Sequence, residues 1–200
     1  MKTINTQKAK SFHSIIAAMI LLVLAAFSSS AHAQTAYKVA AGSQIKVSGT
    51  SNMHDWNMLS SDFTCQGNFV MKEGDLQDVN ALVFSLPVAN LKSKDKLMDT
   101  RAYKALNEEK FKTISFKLTD ATVIPQQKII KATGDLTISG VTRPVTIQSA
   151  YVLNADQSIT YKGSKSIKMS SHSVKAPSFM MGALKTGDDV IIDILLKLKK

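Results

Sequence analysis

The chain has 200 residues and a formal net charge of +10, which favours anionic partners such as phospholipid head groups or a pyrophosphate, unless the lysines only form a solvated face. Nucleic acid is a poor candidate, because the lysines are scattered along strand-like runs and arginine occurs only at Arg101 and Arg143. The single cysteine, Cys65, excludes an intrachain disulfide, so stability has to come from burial and hydrogen bonding.

The first 33 residues have the pattern of a secretory signal peptide. Three lysines precede an apolar run, Ile15 to Phe27, which is too short to span a membrane comfortably because a span needs about 20 residues. Ala31 and Ala33 satisfy the small-residue rule for cleavage, so we predict a cut after Ala33. Residues 34–200 then form one domain with a net charge of +7 and no transmembrane segment, exported to the periplasm or secreted.

Alternating apolar and polar residues dominate the rest of the chain, and this period of two is typical of strands with one buried face. Clusters of Gly, Asn and Asp separate the runs and predict short turns, hence antiparallel pairing. The alternating runs lie at 45–47, 114–118, 130–138, 145–151, 159–169 and 190–198.

One segment, SKDKLMDTRAYKALNEEKF, instead has its apolar residues at helical spacing. We predict a helix or helical turns from about Asp95 to Asn107, with Ser93 or Asp95 as the cap, lying across one end or one edge of the sheet. Leu97, Met98 and Tyr103 on this helix form either a lid over a cavity or ordinary core.

Eight or more strands in a domain of this size favour a closed barrel, because closure removes both sheet edges. We therefore predict an all-β fold, an antiparallel eight-stranded barrel with one short helical segment at about 95–107. Such a barrel is just wide enough to be filled by side chains or to hold one slender ligand. A β-sandwich is the alternative that the pattern leaves open.

The chain resembles the YceI-like family of exported lipid-binding proteins over nearly all of residues 34–200. The resemblance implies a lipocalin-like barrel whose interior holds a polyisoprenoid chain, such as a polyprenyl phosphate or a prenylated quinone, and it brings no catalytic residues. The most specific of the segments that carry it is TGDLTISGVTRPV; together they are GTSNMHDW (49–56), LMDTRAYKAL (97–106), KFKTISFKLT (110–119), TGDLTISGVTRPVTI (133–147) and APSFMMGALKTGDDVIIDILLKLKK (176–200).

The segment GTSNMHDW places His54, Asp55 and the only tryptophan, Trp56, side by side. Neighbouring strand residues face opposite ways, so His54 and Asp55 cannot act together as base and orienting carboxylate unless a turn intervenes. After signal cleavage only His54 and His172 remain, too few for a zinc site. We therefore predict no catalytic residue, metal or cofactor. Trp56 either plugs the barrel end or, with His54, lines the entrance of a cavity.

Two further groups are candidates for ligand contact. Phe179, Met180 and Met181 are large, apolar and adaptable in shape, although core packing explains them equally well. Arg143, before Pro144 in a tight connection, would meet a phosphate or stay exposed. The candidate ligand-binding residues are thus His54, Trp56, Phe84, Leu97, Met98, Tyr103, Arg143, Phe179, Met180 and Met181.

The favoured function is an exported, non-enzymatic protein that sequesters or carries a polyisoprenoid or other long apolar lipid, with transient contact to an anionic membrane surface. Two alternatives stay open. One is an enzyme acting on a lipid or quinone with His54 as acid or base. The other is a structural barrel that binds a protein partner through its basic face.

Overall fold

The alternating runs form eleven strands within residues 34–179 and 183–200, which the computed structural model describes. For residues 34, 35, 179 and 184 the backbone alone is described, and the predicted signal peptide lies outside the described residues. The strands are β1 Gln34–Val39, β2 Gln44–Ser51, β3 Trp56–Ser60, β4 Thr64–Lys72, β5 Asp75–Pro87, β6 Thr113–Ile124, β7 Ile129–Ile138, β8 Val141–Leu153, β9 Ile159–Lys168, β10 Ser178–Phe179 and β11 Leu184–Lys199.

The sheet closes on itself through β1. This strand pairs with β4 along one side, where Tyr37 lies opposite Gly67, and with the end of β11 along the other, where Val39 lies opposite Leu198. The ring β1–β4–β5–β6–β7–β8–β9–β11 is therefore an antiparallel eight-stranded barrel. The predicted barrel is confirmed, and the β-sandwich alternative is wrong because the strands form one continuous sheet.

Three strands lie outside this ring. β2 pairs with the first part of β11 and carries β3 on its other side, so that Val47 lies between Ile192 and Met58. β3 is held in turn by a bridge in which Leu59 and Lys92 exchange backbone hydrogen bonds of 2.7 and 2.8 Å. β10 pairs only with the start of β11.

The period-two pattern fixes which side chains face inward. On β7, Ile130, Leu136 and Ile138 are buried in the interior, whereas Lys131 and Asp135 are exposed. This division is what burial of one apolar face demands, since successive strand residues point to opposite sides of the sheet.

The single α-helix of the described residues, α1, spans Lys96–Ala105 and lies inside the predicted range. Asp95 begins it as the N-cap, because its Oδ1 accepts a hydrogen bond of 2.8 Å from the Leu97 N–H. Met98, Ala102 and Leu106 pack against the barrel core. The predicted helix is confirmed.

The two ends of the barrel differ. We call the closed end the one where Tyr37, Leu76, Tyr151, Ile159 and Leu198 fill the interior, each at most 1% exposed. We call the open end the opposite one, where α1, the turn after β2 and the 3-10 turn Met169–His172 connect the strands. Any ligand enters more easily at the open end, because large side chains already occupy the closed end.

Replacing Gly134 with alanine should destabilise the barrel by roughly 1–3 kcal/mol, the usual cost of forcing atoms into a packed interior. A Cβ at this position would lie 2.4 Å from the Lys117 carbonyl oxygen and 2.5 Å from the Phe116 ring. Urea unfolding of both proteins measures the difference.

Lys131→Ala is the control, since Lys131 is exposed on the same strand and should change the free energy of unfolding by no more than about 0.5 kcal/mol. An equal loss in the free energy of unfolding in the two variants would contradict the role assigned to the close packing around Gly134.

Candidate functional site

The barrel interior contains a cavity of about 370 Å³. Its deepest walls are Phe69, Tyr161 and Leu196, and none of the five residues that fill the closed end lines it. From there it runs past Phe84 and Ile192 toward the open end. Most of the lining is aliphatic or aromatic, so the cavity suits an apolar ligand.

Small side chains on the inner face help to leave this space empty. Ala121 and Ala132 line the cavity from neighbouring positions on β6 and β7, and Ala102 and Ala105 line it from α1. Strands paired around a closed ring cannot approach one another to fill the gap, because the hydrogen-bond ladder sets their spacing. The cavity is therefore a property of the ring itself.

Trp56 lies at the open end of the cavity, half-buried, at the start of β3. Its indole N–H donates to the Thr50 carbonyl oxygen at 3.1 Å. The ring covers Gly49, where a Cβ would come within 2.3 Å of it, so glycine is what allows the tryptophan to lie flat on β2. The ring is thus held in place at the open end.

His54 belongs to the turn between β2 and β3 and is exposed at the rim of the cavity. Ser51 shapes this turn, since its Oγ donates to the His54 carbonyl oxygen at 2.7 Å. The imidazole Nδ1 lies 3.0 Å from the backbone carbonyl oxygen of Asp55. The contact is with the Asp55 backbone, so the pair lacks the carboxylate contact that orients a catalytic histidine.

Of the three candidate residues on α1, only one lines the cavity. Met98 is half-buried and lines the cavity. Leu97 is 55% exposed and lies outside the cavity lining. Tyr103 is also outside it, because its hydroxyl donates to the Leu91 carbonyl oxygen at 2.6 Å and Lys92 Nζ lies 5.2 Å from the ring centre. Tyr103 therefore fastens the helix to the chain that precedes it.

The other candidates are also dispersed. Phe84 lines the cavity and packs against Phe63, with ring centres 5.3 Å apart. Arg143 is exposed and lies outside the cavity lining, where its Nε donates to the Ser171 carbonyl oxygen at 3.0 Å. The side chain of Phe179 is not described, and Met180 and Met181 lie outside the described residues. Contact between any of these residues and a ligand stays a prediction.

Sequence reasoning missed Lys165 and His172, which both line the cavity. The period of β9 carried the signal for Lys165, because Tyr161, Lys165 and Ile167 share the inward face of the strand. His172 had no such signal. It follows β9 in a 3-10 turn and is 2% exposed only because the turn folds back over the barrel.

Burial changes the acidity of three groups in the cavity wall. It raises the pKa of Cys65 to about 12, so the thiol stays protonated and unreactive. It also raises the pKa of Tyr161 well above its ordinary value, and this hydroxyl has no hydrogen-bond partner among the described residues. The pKa of His172 is lowered, first by burial, so the imidazole is neutral at pH 7.

Within residues 34–179 and 183–200, no three His, Cys, Asp or Glu side chains converge closely enough to hold a metal ion. No helix in the same part of the chain is long and apolar enough to span a membrane.

Solved structures share this fold at low sequence identity. BcnA of Burkholderia cenocepacia is 19% identical with a TM-score of 0.66, over 80% of this chain and 98% of that one. A YCEI protein of Campylobacter jejuni is 17% identical with a TM-score of 0.58, over 70% and 83% of the two chains. A polyisoprenoid-binding domain of Saccharophagus degradans is 11% identical with a TM-score of 0.62, over 82% and 97%.

Among curated proteins, none matches the chain significantly. The model of the YceI-like domain, in contrast, matches residues 28–198, which include every strand of the barrel except the last residue of β11. A match over this length, on a chain whose strands close into the expected barrel, shows that the protein belongs to the YceI-like family.

Proposed function

We propose that the protein binds a polyisoprenoid-type lipid by enclosing its apolar tail in the barrel cavity, and that it does so without catalysing a reaction. The observation that carries this proposal is the apolar cavity of about 370 Å³, which is walled off at the closed end. Burying one methylene contributes roughly 0.8 kcal/mol, so two or three enclosed prenyl units offset much of the entropy lost on binding.

The shape of the cavity supports a slender ligand. Its wall along β11 includes Val190, Ile192, Ile194 and Leu196. At a rise of about 3.3 Å per residue, these positions extend along roughly 20 Å of strand. A flexible, linear chain of several isoprene units fits a long, narrow cavity of this kind better than a broad fused-ring molecule does.

The family supports the same ligand class. The chain belongs to the YceI-like family, and one protein with the same fold, from Saccharophagus degradans, is described as a polyisoprenoid-binding domain. A binding role also agrees with the surroundings of His54, whose ring contacts a backbone carbonyl oxygen instead of a carboxylate.

We infer further that the protein is exported, to the periplasm or out of the cell. The support is the N-terminal pattern of lysines, an apolar run and Ala31 and Ala33. Export would place the barrel where prenyl lipids leave or approach a membrane, and the excess of lysine would favour contact with an anionic membrane surface.

Ala132→Phe should weaken tail binding at least about tenfold, because the new ring occupies space equal to several methylenes. The measurement is a titration of the delipidated protein with geranylgeraniol, followed by the fluorescence of Trp56, the only tryptophan.

Ala150→Phe is the matched control, because Ala150 is exposed on the neighbouring strand β8. Thermal unfolding checks that both variants fold. Unchanged affinity in folded Ala132→Phe would place the tail somewhere other than the cavity.

His54→Ala should leave the affinity for geranylgeraniol within about threefold of the parent protein, since apolar burial dominates the binding. Native mass spectrometry of both proteins, purified from the host's exported fraction, should detect the same lipid in each. Accumulation of a different, unprocessed lipid in the variant would instead favour an enzyme with His54 as acid or base.

Intact mass spectrometry of the protein from the exported fraction should find a chain that begins at Gln34, as expected for cleavage after Ala33. Ala33→Arg, which removes the small residue at the cleavage site, should accumulate as the longer precursor. Ala36→Arg, exposed beyond the cut, is the control and should be processed normally. A full-length chain in the cytoplasm would contradict export.

A further inference from the structure

The barrel wall parts between β8 and β9. These strands pair only from Ser149 opposite Gly163 to Leu153 opposite Ile159, so the segments 141–148 and 164–168 have no ladder between them. Each segment stays paired on its other side, β8 with β7 and β9 with β11. The parting is therefore a local opening in the wall, near the open end of the barrel.

This opening between β8 and β9 joins the cavity. Val145, Lys165, Ile167 and His172 line both the opening and the cavity. On its outer side lie Arg143 and further residues of the strands and of the 3-10 turn: Pro144, Thr146, Lys168 and Ser171. A lipid with its tail in the cavity can therefore present its head group here.

Lys165 is the unusual residue of the opening, because it is a half-buried lysine on the inward face of β9. Extending the register from Ser149 and Gly163 would place it beside Ile147, in an apolar wall. The Lys165 side chain has no hydrogen bond or ion pair among the residues that the structure describes. A half-buried lysine whose side chain has no partner is available to pair with an anionic ligand.

His172 is the second unpartnered group. It is 2% exposed, and neither ring nitrogen has a hydrogen-bond partner among the described residues. The backbone carbonyls of Leu136 and Lys168 lie near enough to affect its pKa, but neither reaches hydrogen-bond geometry, and burial keeps the imidazole neutral. A neutral imidazole still offers one N–H donor, which a ligand oxygen would satisfy.

The other charged side chains that line the opening, Arg143 and Lys168, are positive. Arg143 uses its Nε for the Ser171 carbonyl oxygen at 3.0 Å and keeps its other N–H groups available. Lys168 is neutralised by Asp189, at 3.1 Å from both carboxylate oxygens. The lining of the opening includes no carboxylate in the described part of the chain, so an anion would meet net positive charge.

Three polar groups elsewhere at the open end, before α1 and in the turn after β2, are in contrast engaged. Asp95 caps α1, and His54 Nδ1 lies against a backbone carbonyl oxygen. Asn52 also bonds the start of β11, accepting from the Lys185 N–H at 2.9 Å and donating to the Ala183 carbonyl oxygen at 2.7 Å. At the opening between β8 and β9, Lys165 and His172 are without a partner, as is the Tyr161 hydroxyl deeper in the cavity.

We propose that the opening between β8 and β9 binds the phosphate or diphosphate head group of a prenyl lipid whose tail lies in the cavity. Lys165 forms the ion pair with the head group, His172 donates a hydrogen bond from the inside, and Arg143 closes the outer rim. This assignment rests on the proposed function, because the tail has to occupy the cavity for the head group to reach the opening.

Two ligands with the same tail test the assignment. Delipidated protein is titrated with geranylgeranyl diphosphate and with geranylgeraniol, again by Trp56 fluorescence. The parent protein should bind the diphosphate at least about tenfold more tightly, because one hydrogen bond to a charged group contributes enough free energy for a tenfold change in Kd. The advantage should shrink as salt is added, because part of it is electrostatic.

Lys165→Met, which keeps most of the length of the side chain and removes the charge, should abolish most of this preference, measured as the ratio of the affinities for the diphosphate and the alcohol. Lys165→Arg should restore it in part. Lys162→Met is the matched control, since Lys162 is exposed on the outer face of the same strand and should change neither affinity.

The outcomes separate the two proposals. Equal affinity for both ligands in the parent protein would overturn the head-group site while tail binding stands. If Lys162→Met lost the preference for the diphosphate as well as Lys165→Met, the preference would come from general surface charge, and the site would again be overturned. Inorganic diphosphate binding as tightly as geranylgeranyl diphosphate would assign the opening to a free anion instead of a lipid. Failure of both prenyl ligands to bind would overturn the proposed function itself.

Discussion

The rest of the structure depends on the backbone hydrogen bonds that β1 makes on both of its sides. This short strand joins β4 to the end of β11, and with it the sheet becomes a ring. Closure pairs each strand of the ring with a neighbour on both sides over part of its length and fixes the distance across the interior. The inward side chains must then fill that space or leave it empty, and along much of the barrel their volume is too small to fill it.

The cavity follows from an unequal distribution of side-chain volume. Tyr37 and Tyr151 are buried at the closed end, whereas Ala121 and Ala132 line the cavity. The apolar wall of the cavity also disfavours the charged forms of the groups within it, since desolvation keeps the Cys65 thiol protonated and the His172 imidazole neutral. Such a wall is suited to holding an apolar chain.

The opening between β8 and β9 is one place where the barrel departs from the arrangement that stability alone favours. Continuing the ladder would pair more backbone groups, and an apolar residue in place of Lys165 would extend the inner face. Departures of this kind concentrate at functional sites, because binding requires groups that the fold leaves unsatisfied. The opening and the cavity share Lys165 and His172, so a polar head and an apolar tail can be accommodated in one connected space.

The sequence by itself determined the strand faces and the helix, because alternation and capping depend only on nearby residues: the inward set on β7 and the Asp95 cap are local features. It also brought His54, Trp56, Phe84 and Met98 into consideration, and all four line the cavity. Only the tertiary structure decided that Leu97 faces solvent, that Tyr103 bonds Leu91, and that Arg143 borders an opening next to Lys165. Those positions depend on which distant strands pair and where their ladder stops, and register between remote segments is not encoded in any local pattern.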